Sequence, residues 1–423
     1  MLSKEALREV IADQRRRKMP SRIVEREALA SMRKGIAGDA VVILSGVRRC
    51  GKSTLLHAIR NERKDGDYFL NFDDERLIDF SVGDFQMLTE VFLEMFGKQE
   101  SFYFDEIQNV SGWERFVRRL HDDGKKVFIT GSNASMLSRE LGTHLTGRYV
   151  QTSLFPFSFL EFLSFRGKSF PLSRMGTEEK VALRKEFLRY VRLGGFPEYL
   201  VSENKDRLTF LYENILYRDI VVRHNLPDAR PLKETAHFCA SNVGKEMSYN
   251  SIKRIAGLEN PSSIREYFEY MEDSFLAFVL KRFDYSVKRQ AYFNKKAYFI
   301  DTGLANTVGF RFSRDRGRFL ENVIFLDLKA RGKELFFHKN KRECDFLVRE
   351  KGRVQAAIQV AQSLAKPAIY ERELEGLLEA MEAHHLREGY ILTEEEFRDV
   401  SVGKKRISIR PISHWLLDRE GCM

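Results

Sequence analysis

The run Gly46, Val47, Arg48, Arg49, Cys50, Gly51, Lys52, Ser53, Thr54 concentrates more chemistry than any other stretch of the chain. Gly46, Gly51, Lys52 and Ser53 occupy the fixed places of G-x-x-x-x-G-K-[ST]. The apolar, β-branched segment Ala40 to Leu44 precedes the run, and Leu55 to Arg60 after it reads as a helix. A strand feeding a glycine-rich turn into a helix start aims backbone N–H groups and the positive helix end at one point, which suits a triphosphate. Lys52 would reach the β and γ phosphates, and the Ser53 hydroxyl would hold magnesium. A second group, Asp105-Glu106, ends the apolar run Ser101 to Phe104. Carboxylates at the carboxyl end of a strand sit where open α/β sheets bind ligands. Asp105 is expected to hold the magnesium, mainly through water, and Glu106 to polarise the attacking water. A third group, Ser132 and Asn133, follows the strand Lys126 to Thr130 and Gly131. These side chains either hydrogen-bond the γ phosphate and the water or serve as a turn and N-cap.

These groups need a sheet to hold them. Strands at Ala40–Leu44, Tyr68–Phe72, Ser101–Phe104, Lys126–Thr130 and Tyr149–Leu154 alternate with helical patterns at Asp84–Phe96 and Trp113–His121. That alternation implies right-handed βαβ units and a parallel sheet, an α/β fold. Before it, residues 3 to 35 read as helical, with Arg15, Arg16, Arg17 and Lys18 as a basic run ahead of Pro20. That run reads either as a phosphate contact or as a solvated helix end.

A chain of 423 residues is too long for one core, so two or three domains are expected. With 43% hydrophobic and 31% charged residues, the composition is that of a folded, soluble protein. No run of eighteen apolar residues occurs, and the first residues carry charges where a signal peptide needs an apolar stretch, so a cytoplasmic protein with no membrane partner is expected. Cys50, Cys239, Cys344 and Cys422 form no C-x-x-C pair, which argues against a zinc site or a disulfide framework. Cys50, inside the glycine-rich loop, is either oxidation-sensitive or a small loop-filling side chain. A net charge of +10 makes a polyanion, DNA above all, the leading partner.

The sequence resembles the AAA+ superfamily of P-loop ATPases, in particular bacterial and archaeal members with a carboxy-terminal domain of unknown function. The likeness rests on GVRRCGKST, FYFDEIQ, FITGSNAS, LTGRY with FPFSFLEFL, and GGFPEYL, in that order along most of the chain. It implies ATP and magnesium as cofactors and a homo-oligomer, with a hexameric ring as one form. It also implies that Arg148, preceding the fifth strand, serves as a finger for a neighbouring subunit's nucleotide, since a guanidinium spreads charge over phosphoryl oxygens. The chain then divides into an N-terminal helical segment at 1–36, the ATPase domain at 37–156 and a helical lid at 157–230. A winged helix-turn-helix at 231–300 and a nuclease-like region at 301–423 complete it.

In the winged helix, Ser262, Ser263 and Arg265 would face a DNA groove. Winged helices also serve as protein-binding modules, so a nucleotide-gated signalling protein is the alternative. From Lys281 to Arg318 there are ten basic residues against three acidic ones, a net +7, with Phe283, Tyr285, Tyr292 and Phe293 interleaved. Lys288, Arg289, Lys295 and Lys296 in this stretch are expected to contact phosphates, and the aromatics to stack on bases. The last region is similar to the PD-(D/E)XK nuclease fold, with Glu321, Asp345 and Gln359 as its matching residues. The lysine that this fold places two residues further on is Ala361 here. An ATP-regulated nuclease is thus a further alternative, but an inactive site is expected, with Lys366 or Lys339 as the only foreseen substitutes.

Overall fold

The computed structural model describes residues 2–17, 23–63, 66–133, 147–172, 175–309 and 316–418. Lys18, Pro20, Leu145, Thr146, Arg311, Arg314, Asp315 and Cys422, all part of the sequence reading, lie outside them. The chain forms two compact units, 1–155 with 273–275, and 156–272 with 276–423.

The first unit is built on a five-stranded parallel sheet. In chain order its strands are β1 (Val41–Gly46), β2 (Asp67–Asn71), β3 (Ser101–Asp105), β4 (Lys126–Gly131) and β5 (Tyr149–Leu154). Their spatial order is β2-β3-β4-β1-β5. Strand β1 is buried along its whole length, as an apolar run covered on both faces must be. Its register sets Ser45 beside Gly131 of β4 and Ser153 of β5, so the carboxyl ends of all three lie together. Helix α1 (Lys4–Arg16) buries Leu7, Val10, Ile11 and Gln14, one face of a 3.6-residue repeat. Gln14 accepts a hydrogen bond from the Asn71 backbone N–H and donates to the Asn71 carbonyl, which holds the helix on the edge of β2. At the end of α1 the exposed Arg15 stacks on Phe96 and the exposed Arg17 pairs with Asp74. Helices α2 (Ala28–Ala37), α3 (Lys52–Arg63), α4 (Phe85–Phe96) and α5 (Trp113–Asp122) complete this unit.

The second unit begins with helices α6 (Phe159–Phe165), α7 (Thr177–Leu193), α8 (Pro197–Ser202) and α9 (Lys205–Asn214), the last continued as a wider π-helical turn over Ile215–Val222. Gly195 has no room for a side chain, since a Cβ there would run into the Phe157 carbonyl, and its own carbonyl accepts from the Phe157 N–H. The N–H of Gly195 donates to Asp301, whose buried carboxylate also caps Leu304.

After α10 (Arg230–Ser241) come β6 (Glu246–Met247), α11 (Tyr249–Ile255), α12 (Pro261–Asp273), β7 (Ala277–Arg282), α13 (Val287–Tyr292) and β8 (Lys295–Phe299). Then follow α14 (Thr302–Val308), α15 (Arg316–Ala330), β9 (Glu334–Lys339), β10 (Glu343–Glu350) and β11 (Arg353–Val360). The unit ends with α16 (Pro367–Ala383), β12 (Glu388–Thr393), β13 (Arg398–Val402), β14 (Lys405–Pro411) and α17 (Ile412–Leu417). Among the described residues these strands form one mixed sheet, ordered β13-β14-β12-β11-β10-β9-β7-β8-β6. Strand β9 joins β7 in parallel, Lys281 beside Phe336, so the hairpin and the later strands share one sheet across residue 300.

Candidate active site

Helix α3 starts at Lys52, directly after the glycine-rich turn that leaves β1. Two backbone positions make this turn. Gly46 and Gly51 both have positive φ, and a Cβ on Gly46 would collide with the Leu154 carbonyl at the end of β5. Arg26 ties the turn down: its guanidinium donates to the Cys50 carbonyl at 2.8 Å and to the Phe155 carbonyl at 2.6 Å. Arg26 was not legible as a site residue, because a single arginine in a mixed segment has no partner pattern. Cys50 is buried, and burial raises its thiol pKa, so the loop-filling reading holds over the oxidation-sensitive one.

Lys52, 4% exposed, points its ammonium at the Gly46 carbonyl (3.1 Å), the Val47 carbonyl (3.2 Å) and the Glu106 carboxylate (3.2 Å). The ammonium's three N–H donors, here directed at three oxygens, suit phosphate oxygens equally well. Asp105, fully buried, accepts from Asn71 at 3.1 Å, from the Thr130 hydroxyl and from Ser53. Burial, and then the adjacent Glu106 charge, push its pKa up to about 6. Burial would also raise Glu106, but the Lys52 ammonium, a hydrogen bond from Gln108 and the Arg48 charge overcome it and hold that carboxyl low. Glu106 sits in the left-handed region, φ 52°, with its N–H donating to the Thr130 hydroxyl. Gln108, also missed by the sequence reading, donates to Glu106 at 2.6 Å and to the Ser132 hydroxyl at 3.4 Å. Ser132 and Asn133 are buried at the end of β4, between the ends of β1 and β3.

Arg148 lies elsewhere. It is exposed and paired with Asp122 at 2.8 Å, at the amino end of β5, whereas Gly46 lies beside Leu154 at the carboxyl end. Five residues of strand separate those ends by about 17 Å.

In the second unit, Glu321, Asp345 and Gln359 come together on α15, β10 and β11, as expected. The cation beside them is neither Lys366 nor Lys339, the two foreseen, but Lys296 of β8, 1% exposed, whose ammonium meets Glu321 at 2.9 Å, Glu343 at 2.8 Å and Asp345 at 2.9 Å. Lys296 is therefore no surface phosphate contact. Lys295 is corrected as well: it is buried, and its ammonium donates to the carbonyls of Ala291 and Phe293. Lys339 pairs with Glu246 and Glu343, at the rim of the cluster, and Lys366 stands exposed before α16. Ser262, Arg265, Lys288 and Arg289 are exposed and Ser263 half-buried. Tyr285 and Tyr292, 83% and 81% exposed, flank Lys288 and Arg289. Beside them, a cavity of about 670 Å³ is lined by Tyr249, Arg265, Phe268, Lys281 and Lys295.

Sheet order, glycine-rich turn and acidic strand end are those of a P-loop NTPase fold. Residues 38–163 match the family described as an AAA domain, and residues 184–315 match a domain of unknown function, DUF8612. Over 396 residues the chain is 34% identical to the uncharacterized protein MJ1544 of Methanocaldococcus jannaschii, spanning 89% of this chain and 88% of that one. Over 347 residues it is 32% identical to an uncharacterized protein of Haemophilus influenzae, spanning 77% and 84%. The chain belongs to the family of these two proteins. Among solved structures, the Thermotoga maritima RuvB Holliday junction branch migration motor is 15% identical, with 64% of this chain and 92% of that one covered and a TM-score of 0.27. Domain III of the Thermotoga maritima replication initiation protein DnaA is 18% identical, with 34% and 69% covered and a TM-score of 0.24. No helix among the described residues is long and apolar enough to cross a membrane.

Proposed function

We propose that this protein hydrolyses ATP as an oligomer and uses the cycle to bind and remodel DNA, forked or branched forms included. The observation that carries the hydrolysis is the convergence of Lys52, Ser53, Asp105 and Glu106 at one end of the parallel sheet. The nucleotide's phosphates would lie on the loop Gly46–Thr54, with Lys52 as their cation. Magnesium would sit on Ser53 and Asp105, whose hydroxyl and carboxylate already touch. When bound, the metal neutralises charge on the transferred phosphoryl group. Glu106 is ionised at neutral pH and so able to take a proton from the attacking water, while Gln108 fixes its direction. Without an anion on the loop, Lys52 holds Glu106 by their ion pair. A phosphate bound on the loop would compete for that ammonium and free the carboxylate. Ser132 and Asn133 are assigned to the γ phosphate or the water, and Arg148 to a neighbouring subunit's site, because it stands too far from its own.

We read 231–300 as a winged helix, supported by its element order and the strand order β6-β8-β7. The exposed Ser262, Arg265, Lys288, Arg289, Tyr285 and Tyr292 supply cations and stacking faces for a nucleic acid. Residues 301–423 are read as nuclease-like, with Glu321 on α15, Asp345 on β10 and Gln359 on β11 at their site. The test is the ATPase rate with single-stranded, duplex, forked and four-way DNA over a series of salt concentrations. We expect DNA to raise turnover and its apparent affinity to fall steeply with salt. A rate indifferent to every DNA form would refute the DNA reading and leave the ATPase reading standing.

A further inference from the structure

A metal-dependent nuclease site needs free carboxylate oxygens around a divalent ion. In this protein those oxygens already share a cation. The Lys296 nitrogen lies 2.9 Å from Oε1 of Glu321, 2.8 Å from Oε1 of Glu343 and 2.9 Å from Oδ1 of Asp345. An ammonium has three N–H donors, and three carboxylates take them. Magnesium would draw on the same oxygens at about 2.1 Å from each, at the point the nitrogen fills.

The same carboxylates carry further hydrogen bonds. Oε1 of Glu321 accepts from the Tyr298 hydroxyl at 2.6 Å, and Oδ2 of Asp345 accepts from the Val360 N–H at 3.0 Å. Gln359 offers its amide oxygen to the Asp345 N–H at 3.1 Å and its amide nitrogen to Glu373. Among the described residues, no group of three or more His, Cys, Asp and Glu side chains stands ready to hold a metal ion. The residues therefore do not suit the metal that a nuclease-like fold implies.

We infer that Lys296 is the resident cation of this carboxylate cage, standing where the fold's metal would bind, and that removing its ammonium converts the cage into a divalent-cation site. The inference uses the nuclease-like reading only to say where a metal belongs, and it is independent of ATP hydrolysis. Lys296 comes from the hairpin, whereas Glu321, Glu343 and Asp345 come from α15 and β10. The cage thus pins the hairpin to the later strands by charge as well as by the sheet. Three carboxylates left without their cation would repel one another strongly in a buried setting, and a divalent ion is the simplest replacement. The oxygens need to close in by about half an ångström to reach calcium or manganese distances.

The experiment uses the full chain without nucleotide, and the Asp345→Asn variants separate this site from the phosphate loop. Manganese is titrated by electron paramagnetic resonance, and thermal unfolding is followed in manganese and in EDTA, for wild type, Lys296→Met, Lys296→Gln and each variant combined with Asp345→Asn. We expect the wild type to ignore both additions. Both Lys296 variants should take up manganese, gain a few degrees in Tm from it, and lose both effects with Asp345→Asn. Wild-type manganese binding that Asp345→Asn abolishes would overturn the inference, as would manganese-dependent cutting of labelled DNA lost in the same variant. Variants that fold but bind no manganese, or that stay unfolded even in millimolar manganese, would overturn it too, since the ion is required to replace the ammonium.

Discussion

The chemistry of the first unit is concentrated in two neighbouring carboxylates with opposite tendencies. Asp105 is held in a buried niche that favours its protonated form, while Glu106 keeps its charge because Lys52 faces it. The Asp105 group has a folded pKa of about 6 against an ordinary value of 3.8, so the folded protein binds its proton more tightly than the unfolded chain. Its contribution to stability is full below the unfolded value and is lost as pH rises through 6. Above that pH the nucleotide-free protein carries a cost of up to about 3 kcal/mol for keeping Asp105 ionised. Asp105→Asn should therefore raise the Tm of the nucleotide-free protein at pH 8, with a gain that shrinks toward pH 5, and should abolish metal-dependent turnover. Thermal unfolding across that pH range checks it; a gain that grows as pH falls would contradict it. The same residues show the limits of sequence reading. Asp105 and Glu106 were legible because an acidic pair ending a strand is a pattern. Gln108 was not, since its role depends on a turn that brings it back onto Glu106 and across to Ser132.

At the scale of elements, buried parallel strands read plainly as apolar runs, and the helices packed on them as 3.6-residue repeats. Trp113, Phe116, Val117 and Leu120 on α5 are one such set. Strand β13, Arg398–Val402, escaped because it is an edge strand with no buried residue to set a pattern. Lys295 and Lys296 were misread for the opposite reason. A basic pair looks solvated in a string of letters, yet on a strand the two side chains point to opposite faces, and both faces of β8 are covered here. The partners of Lys296 lie on α15 and β10, far along the chain, so no local signal announces them. Gly194 and Gly195 have a local signal with a steric cause, the close approach of Phe157 and Asp301. Gly195→Ala should cost roughly 2–3 kcal/mol by forcing that backbone contact apart. The denaturation midpoint of the second unit measures it, and an unchanged midpoint would remove the steric argument.

For the whole molecule, the decisive questions are assembly and turnover. Arg148 precedes β5 at the end of the sheet away from Lys52, so any catalytic service it gives must go to another copy of the chain. Arg148→Ala should keep nucleotide affinity while losing turnover. Mixing it with Lys52→Ala should restore part of the rate, because the second variant brings an intact arginine to the first variant's intact loop. No recovery on mixing would argue against a shared site. The net charge of +10 suits a polyanionic partner. The most direct test of the account is phosphate release by wild type and by Glu106→Gln at saturating ATP and magnesium, with retained nucleotide measured on the same samples. The account predicts that the variant still holds ATP and releases phosphate roughly 10²- to 10⁴-fold more slowly. A variant that hydrolyses ATP at the wild-type rate would contradict it.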